Sequence, residues 1–264
     1  MNRRRVAGGL LRKKHHAGLL GLLTRIFDIE WWQRRGRGIF FRGTWRANSL
    51  TPRAVIGLLN TSSPVIFELG AADGLDTLKF AAACSKPGLR IVAVEPDPRN
   101  IKKFEAAVND PRVHLVKCAV GANDGQEEFH LSSTGYSSSL KKPALQAINK
   151  RWAEINFDED IIVEVKKLDS IRSAVNVDSV DFIWADVQGA EDLLIRGGPN
   201  TLRNTHYFYT EHNSCGEPLY AGDSSLSDIC KQLGDNWKLL RNYGDDALFE
   251  NQKFSKNGPV ENET

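Results

Sequence analysis

Val65-Ile66-Phe67-Glu68-Leu69-Gly70-Ala71-Ala72-Asp73-Gly74 is the stretch that decides the fold of this 264-residue chain. A short apolar run, opened by Pro64, ends in a turn that carries two glycines. Its length and its Val/Ile/Phe content predict a strand buried on both faces, as strands of parallel sheets are. Residues 73–85 then read as a helix, stopped by Pro87-Gly88. The same alternation continues downstream. Residues 90–94 form a second strand ending at Glu95-Pro96, residues 98–109 a helix, and residues 114–120 a third strand. Strands over 126–131 and 161–165 flank a serine-rich loop, residues 132–139, which with residues 141–160 is expected to form a lid over the acceptor. Residues 180–185 make another buried strand ending at Asp186, followed by a helix over 190–202 that Gly197-Gly198-Pro199 interrupts. A strand over 206–210 ends at Glu211-His212, and a helix spans 226–233. Residues 237–242 and 247–251 flank Tyr243-Gly244-Asp245-Asp246, a hairpin signal. Strand–helix alternation predicts a doubly wound α/β sheet, and the closing hairpin adds an antiparallel strand to it. Ligands of such sheets sit beyond the carboxyl ends of the strands.

Composition agrees with a globular chain. It is 41% hydrophobic and 26% charged, which excludes bulk disorder and fibrous folds. No run approaches the ~20 apolar residues of a membrane-spanning helix. No Ala-x-Ala site follows the apolar residues 17–23, so no secretory signal peptide is expected. Cys84, Cys118, Cys215 and Cys230 are far apart, with no Cys-x-x-Cys, so reduced thiols are expected rather than disulfides or structural zinc. Charge is uneven. Residues 1–53 hold 11 arginines and two lysines against two acids, a net +11, which leaves −9 on the rest of a chain whose net charge is +2. Leu19, Leu22, Leu23, Ile26 and Phe27 share one helical face, with Trp31-Trp32 just beyond. Such a head suits an interfacial helix on an anionic membrane. Packing on the body, nucleic acid contact and organellar targeting are its alternatives.

The residues with chemistry stand at the strand ends. Gly70 and Gly74 allow a tight turn close to a ligand, and Glu68 can accept from a ligand ammonium. The turn is neither Gly-x-Gly-x-x-Gly nor a phosphate loop. Glu95, at the second strand end, can bind both hydroxyls of a ribose. Cys118-Ala119 can line an adenine pocket.

Four segments in order, Glu68–Gly74, Val94–Asn100, Ala119–Gly125 and Asp181–Glu191, resemble the FkbM family of methyltransferases. The similarity covers about residues 60–250, and Asp-Val-Gln-Gly-Ala-Glu, residues 186–191, is its most specific part. Tyr136–Ser139 and Leu168–Ser170 resemble family landmarks, and Asp169 is expected to cap a helix at Ser170. Glu68 stands where the family usually has Asp, Ala72 where Asn is frequent, and Lys167 where Thr is common. The resemblance implies a class I, Rossmann-like methyltransferase fold, with a mostly parallel seven-stranded sheet and a C-terminal antiparallel hairpin. It divides the chain into a basic extension (1–59), a methyltransferase domain (60–252) and a polar tail (253–264). It implies S-adenosylmethionine (SAM) as cofactor and O-methyl transfer, most often onto a sugar hydroxyl of a glycan or glycolipid. Glu68, Gly70, Ala71, Asp73 and Gly74 would then hold the methionine part, Glu95 the ribose, Pro96 and Asp97 its border, and Ala119 the adenine.

A hydroxyl is a poor nucleophile and calls for a base, and Asp186, Glu211 and His212 stand at adjacent strand ends. A divalent metal held by Asp186 and Glu211 is an alternative, but no dense carboxylate cluster stands out, so no metal is expected. A cytoplasmic enzyme, peripheral to a membrane through its head, is the expected setting. Nicotinamide-dependent oxidoreduction and non-catalytic SAM binding are the competing functions, with an RNA acceptor as a third. The absent Gly-x-Gly-x-x-Gly and the terminal hairpin argue against oxidoreduction.

Overall fold

The computed structural model describes residues 49–144, 155–214 and 218–255. The amphipathic head and Cys215 lie outside them, as does the polar tail from residue 256. Within the described residues, α1 (Pro52–Leu58) leads into β1 (Val65–Leu69), α2 (Leu75–Ala83), β2 (Arg90–Val94), α3 (Pro98–Ala107) and β3 (Val113–Val116). Next come β4 (Ala119–Gly121), β5 (Gly125–Ser132), β6 (Phe157–Lys167), α4 (Leu168–Ala174) and β7 (Val180–Ala185). The chain continues through α5 (Glu191–Gly197), α6 (Pro199–Arg203), β8 (Thr205–Glu211), α7 (Leu226–Leu233), β9 (Trp237–Asn242) and β10 (Asp246–Asn251).

Seven strands form the main sheet in the order β3-β2-β1-β7-β8-β10-β9. Strands β3 to β8 are parallel, whereas β10 runs antiparallel to both β8 and β9. The order reverses at β1, where β2 lies on one side and β7 on the other, and a doubly wound sheet opens its ligand crevice there. Both faces are apolar, as alternation along a doubly covered strand requires. Phe67, Leu69, Val94, Ile183 and Phe208 pack on one face with Leu168, Leu194 and Ile229 of α4, α5 and α7. Ile66, Ile91, Phe182 and Tyr209 pack on the other with Val55 and Phe80 of α1 and α2.

Two expectations are corrected. The apolar run over 114–120 is two strands in two sheets: β3 pairs with β2, while β4 pairs with β6 in a smaller sheet ordered β4-β6-β5. Lys117, between the two strands, is the one polar residue within 115–120, and a single lysine is too slight a signal to mark the change of sheet. The helix over 190–202 is interrupted where expected, as two helices that meet at Gly198-Pro199. Asp169 was expected to cap its own helix, but its carboxylate accepts from the Asn200 and Thr201 amides (3.1 and 2.6 Å) and caps α6. The short α1, opened by Thr51 and Pro52, lies within the stretch expected to be extension.

Candidate active site

The turn after β1 is built by close backbone approach. The Gly70 and Ala71 amides both donate to the Val94 carbonyl (2.9 and 3.0 Å), and the Asp186 amide donates to the Leu69 carbonyl (2.9 Å). Gly70 has φ +87°, and a methyl there would lie 1.9 Å from the Asp186 carbonyl oxygen. Gly70 therefore lets three strand ends meet at one point. Ala72 also stands in the left-handed region, at φ 48°. Glu68 points under the turn, where it is 2% exposed and accepts from the Thr77 hydroxyl of α2. Burial, then the neighbouring Asp76, push its carboxyl well above the ordinary range.

Glu95 braces the turn from the β2 end. Its Oε2 accepts from the Ala72 amide (2.8 Å), and its Oε1 accepts from the Asp97 amide (2.9 Å). Burial raises its pKa to about 7 against these hydrogen bonds. Pro96 is half-buried, and buried Asp97 caps α3 and binds Arg99 through both carboxylate oxygens. Ala119 is buried in the apolar core of the smaller sheet with Phe129 and Val165. Burial raises the Cys118 thiol to about 12, which leaves it unreactive.

The serine-rich loop crosses from this side of the cleft to the other. The Tyr136 hydroxyl donates to Asp73 Oδ2 (2.8 Å), and the Asn100 side chain donates to the Gly135 carbonyl (2.6 Å). At the far end of the loop the Ser139 hydroxyl donates to the Gln188 carbonyl (2.6 Å).

Asp186 and Glu211, half-buried at the ends of β7 and β8, are joined by one side chain. Gln188 Nε2 donates to Asp186 Oδ1 and to Glu211 Oε2 (3.1 Å). The hydroxyl of buried Tyr220 donates to Gln188 Oε1 (2.7 Å). Glu191, at the start of α5, is fully buried, and burial with Asp186 and Asp223 nearby raises it to about 8. His212 is 8% exposed, and neither ring nitrogen has a hydrogen-bond partner. The structure thus brings Asp186 and Glu211 together and leaves His212 with unmet hydrogen-bonding capacity beside them in sequence. Gln188 and Tyr220 were not singled out from the sequence, and Tyr136 was quoted there as a family landmark with no role. Gln188 lay inside the quoted motif, whereas Tyr220 follows in a loop with no periodicity to mark it.

This arrangement suits a cationic nucleoside better than a dinucleotide. A pyrophosphate-binding turn aims its amides at the phosphates. Here the Ala72 amide is committed to Glu95, and carboxylates border the cleft.

Comparison with known proteins bears this out. The model of the methyltransferase FkbM domain matches residues 68–246. The 2-O-methyltransferase NoeI of Sinorhizobium fredii (strain NBRC 101917 / NGR234) is 32% identical over 214 residues, 76% of this chain and 85% of that protein. Among solved structures, an FkbM methyltransferase from Methylobacillus flagellatus aligns with a TM-score of 0.48 at 16% identity, over 78% of this chain. The chain spans about half (49%) of that protein's length. Aeropyrum pernix fibrillarin, with natively bound S-adenosyl-L-methionine, aligns with a TM-score of 0.37 at 18% identity, over 75% of this chain and 71% of its own. The family model and the NoeI relative overturn the nicotinamide alternative. With a family model spanning most of the globular body and a relative aligned over three quarters of the sequence, the chain belongs to the FkbM family of methyltransferases, whose methyl donor is S-adenosylmethionine.

Proposed function

We propose that the protein is an O-methyltransferase acting on a sugar hydroxyl of a glycan or glycolipid. The observation that carries this reading is His212, a buried imidazole whose two nitrogens have no hydrogen-bond partner among the described residues, which follows Glu211 of the Asp186–Gln188–Glu211 bridge in the chain. The 2-O-methyltransferase relative supports the oxygen acceptor. SAM supplies a methyl group already activated for transfer. Gly70, Ala71, Asp73 and Gly74 hold its methionine end, with Glu68 bracing the turn from beneath. Glu95 takes the ribose hydroxyls on its free lone pairs, Pro96 and Asp97 border them, and Ala119 backs the adenine. Asp186 and Glu211 orient the acceptor, and His212 takes the hydroxyl proton as the C–O bond forms.

The test is transfer of labelled methyl groups from SAM to fractionated glycans, lipids, protein and RNA. Label in the carbohydrate or glycolipid fraction is expected, and label confined to RNA or protein would overturn the reading. His212→Ala should lower kcat by ~10²–10⁴ with SAM binding kept. Glu95→Ala should weaken SAM binding by ~1.5–3 kcal/mol, the scale of hydrogen bonds to charged groups, and calorimetry reads it directly.

The same reading places the enzyme in the cytoplasm, against an anionic membrane through its head. No helix among the described residues is long and apolar enough to cross a membrane. Each basic residue near such a surface contributes about 1 kcal/mol. Deleting residues 1–35 should abolish low-salt sedimentation with phosphatidylserine vesicles and leave the melting temperature unchanged. Full-length protein that ignores the vesicles would end the membrane proposal.

A further inference from the structure

We infer that Gln188 is a positioning residue whose side-chain amide holds Asp186 and Glu211 as a fixed pair, and that Tyr220 anchors this amide at its oxygen end. The inference rests on the reading above only in taking those two carboxylates as the groups that meet the acceptor.

An amide side chain has two donor hydrogens at one end and an acceptor oxygen at the other. Gln188 directs the donor end at two carboxylates, one hydrogen to each. Rotated by half a turn, its oxygen would face two carboxylate oxygens and nothing would bridge them. The two carboxylates hold the amide in this orientation, and the Tyr220 hydroxyl completes it by donating to Oε1. Its proton is shared with the Ser137 carbonyl (2.9 Å), which anchors the phenol independently.

The phenol remains a donor because of what surrounds it. Asp186 and Glu211 face it from β7 and β8, Glu191 from α5, and Asp223 from its own loop. Burial first, then these four carboxylates, push Tyr220 well above the ordinary phenol range.

The backbone is also specific. Gln188 has φ +55°, and left-handed backbone is uncommon for a residue with a side chain. Gly189 follows at φ +86°, and a methyl there would lie 2.6 Å from Tyr220 Cδ2. Tyr220 therefore packs directly on the turn that presents Gln188. The Ser139 hydroxyl holds the same turn by its carbonyl.

A neutral amide gives each anion a hydrogen bond and adds no charge. Glutamate there would remove both donors and add a third like charge, and each change disfavours ionisation of the pair. Methionine would remove the donors alone.

The test is a ¹³C carboxyl NMR titration of the full-length protein, with the Asp186 and Glu211 resonances assigned by Asp186→Asn and Glu211→Gln. In Gln188→Glu the titration midpoints of the pair should rise by about one pH unit or more, in Gln188→Met by less. SAM affinity should stay within about twofold. On the acceptor found by label transfer, Gln188→Glu should lose about 10–100-fold in kcat, and its acidic limb should move to higher pH. Midpoints unmoved in both Gln188 variants would overturn the inference, whatever happens to the melting temperature. If Gln188→Glu does not fold, Gln188→Met decides alone. Should the combined Asp186→Asn, Glu211→Gln variant keep full methyl transfer, the catalytic reading of the site fails while the titration result stands.

Discussion

Gly70 shows how much one missing methyl group can decide. The Asp186 carbonyl lies where its Cβ would be, and that carbonyl begins the segment carrying the acidic side of the cleft. Gly70→Ala adds a main-chain clash to an unfavourable φ, and should cost about 2–4 kcal/mol, the range of core overpacking plus backbone strain. Thermal unfolding checks this, and an unchanged melting temperature would refute it. Buried carboxyls give a second residue-scale expectation. Glu95 and Glu191 have pKa values raised to about 7 and about 8 from an ordinary 4.5. A carboxyl raised on folding binds its proton more tightly in the native state. The stability it contributes is full below pH 4.5 and is lost as pH rises through 7 for Glu95 and through 8 for Glu191. Glu191→Gln should therefore narrow the fall in melting temperature expected of the parent protein between pH 5 and pH 8. A parallel pair of curves by calorimetry would contradict it. Glu95 was legible from its place after a strand, because acidic residues there have a known geometric use. That it would brace the Ala72 amide was not legible, since a hydrogen bond across 23 positions leaves no pattern in the sequence.

At the scale of elements, the buried strands were the easiest to read, because Val, Ile and Phe in runs of five or six have few other homes. Boundaries failed where packing, not propensity, set them. Residues 114–120 read as one strand because Cys118, where the chain changes sheets, is itself apolar and buried. Asp169 read as the cap of its own helix because its partner α6 lies 30 positions downstream, beyond any local signal. The serine-rich loop read as a lid over the acceptor, and its contacts reach further, to Asp73, Asp97 and Asn100 beside the glycine turn. Tyr136→Phe removes the link to Asp73, a bond of about 0.5–1.5 kcal/mol, and should weaken SAM affinity by about 3–10-fold. Titration calorimetry with equal affinities for parent and variant would show that the link does not serve the cofactor.

For the molecule as a whole, the antiparallel β10 inserted between β8 and β9 was visible as a hairpin signal at residues 243–246, and its sheet position followed from the family resemblance. The smaller sheet was not visible as a unit, because β4 and β6 pair across about 45 positions that include the serine-rich loop. That sheet is the base from which the loop springs, and the loop is tied to the glycine turn at one end and to Gln188 at the other. A strap fastened on both banks has a kinetic meaning. The donor's bank has to be filled before the strap can settle correctly for the acceptor, and the spent donor leaves only after the methylated product has freed the other bank. Turnover should thus follow a compulsory sequence, with S-adenosylhomocysteine inhibiting competitively against SAM and noncompetitively against the acceptor. Product-inhibition patterns that show random addition would mean that the two banks open independently.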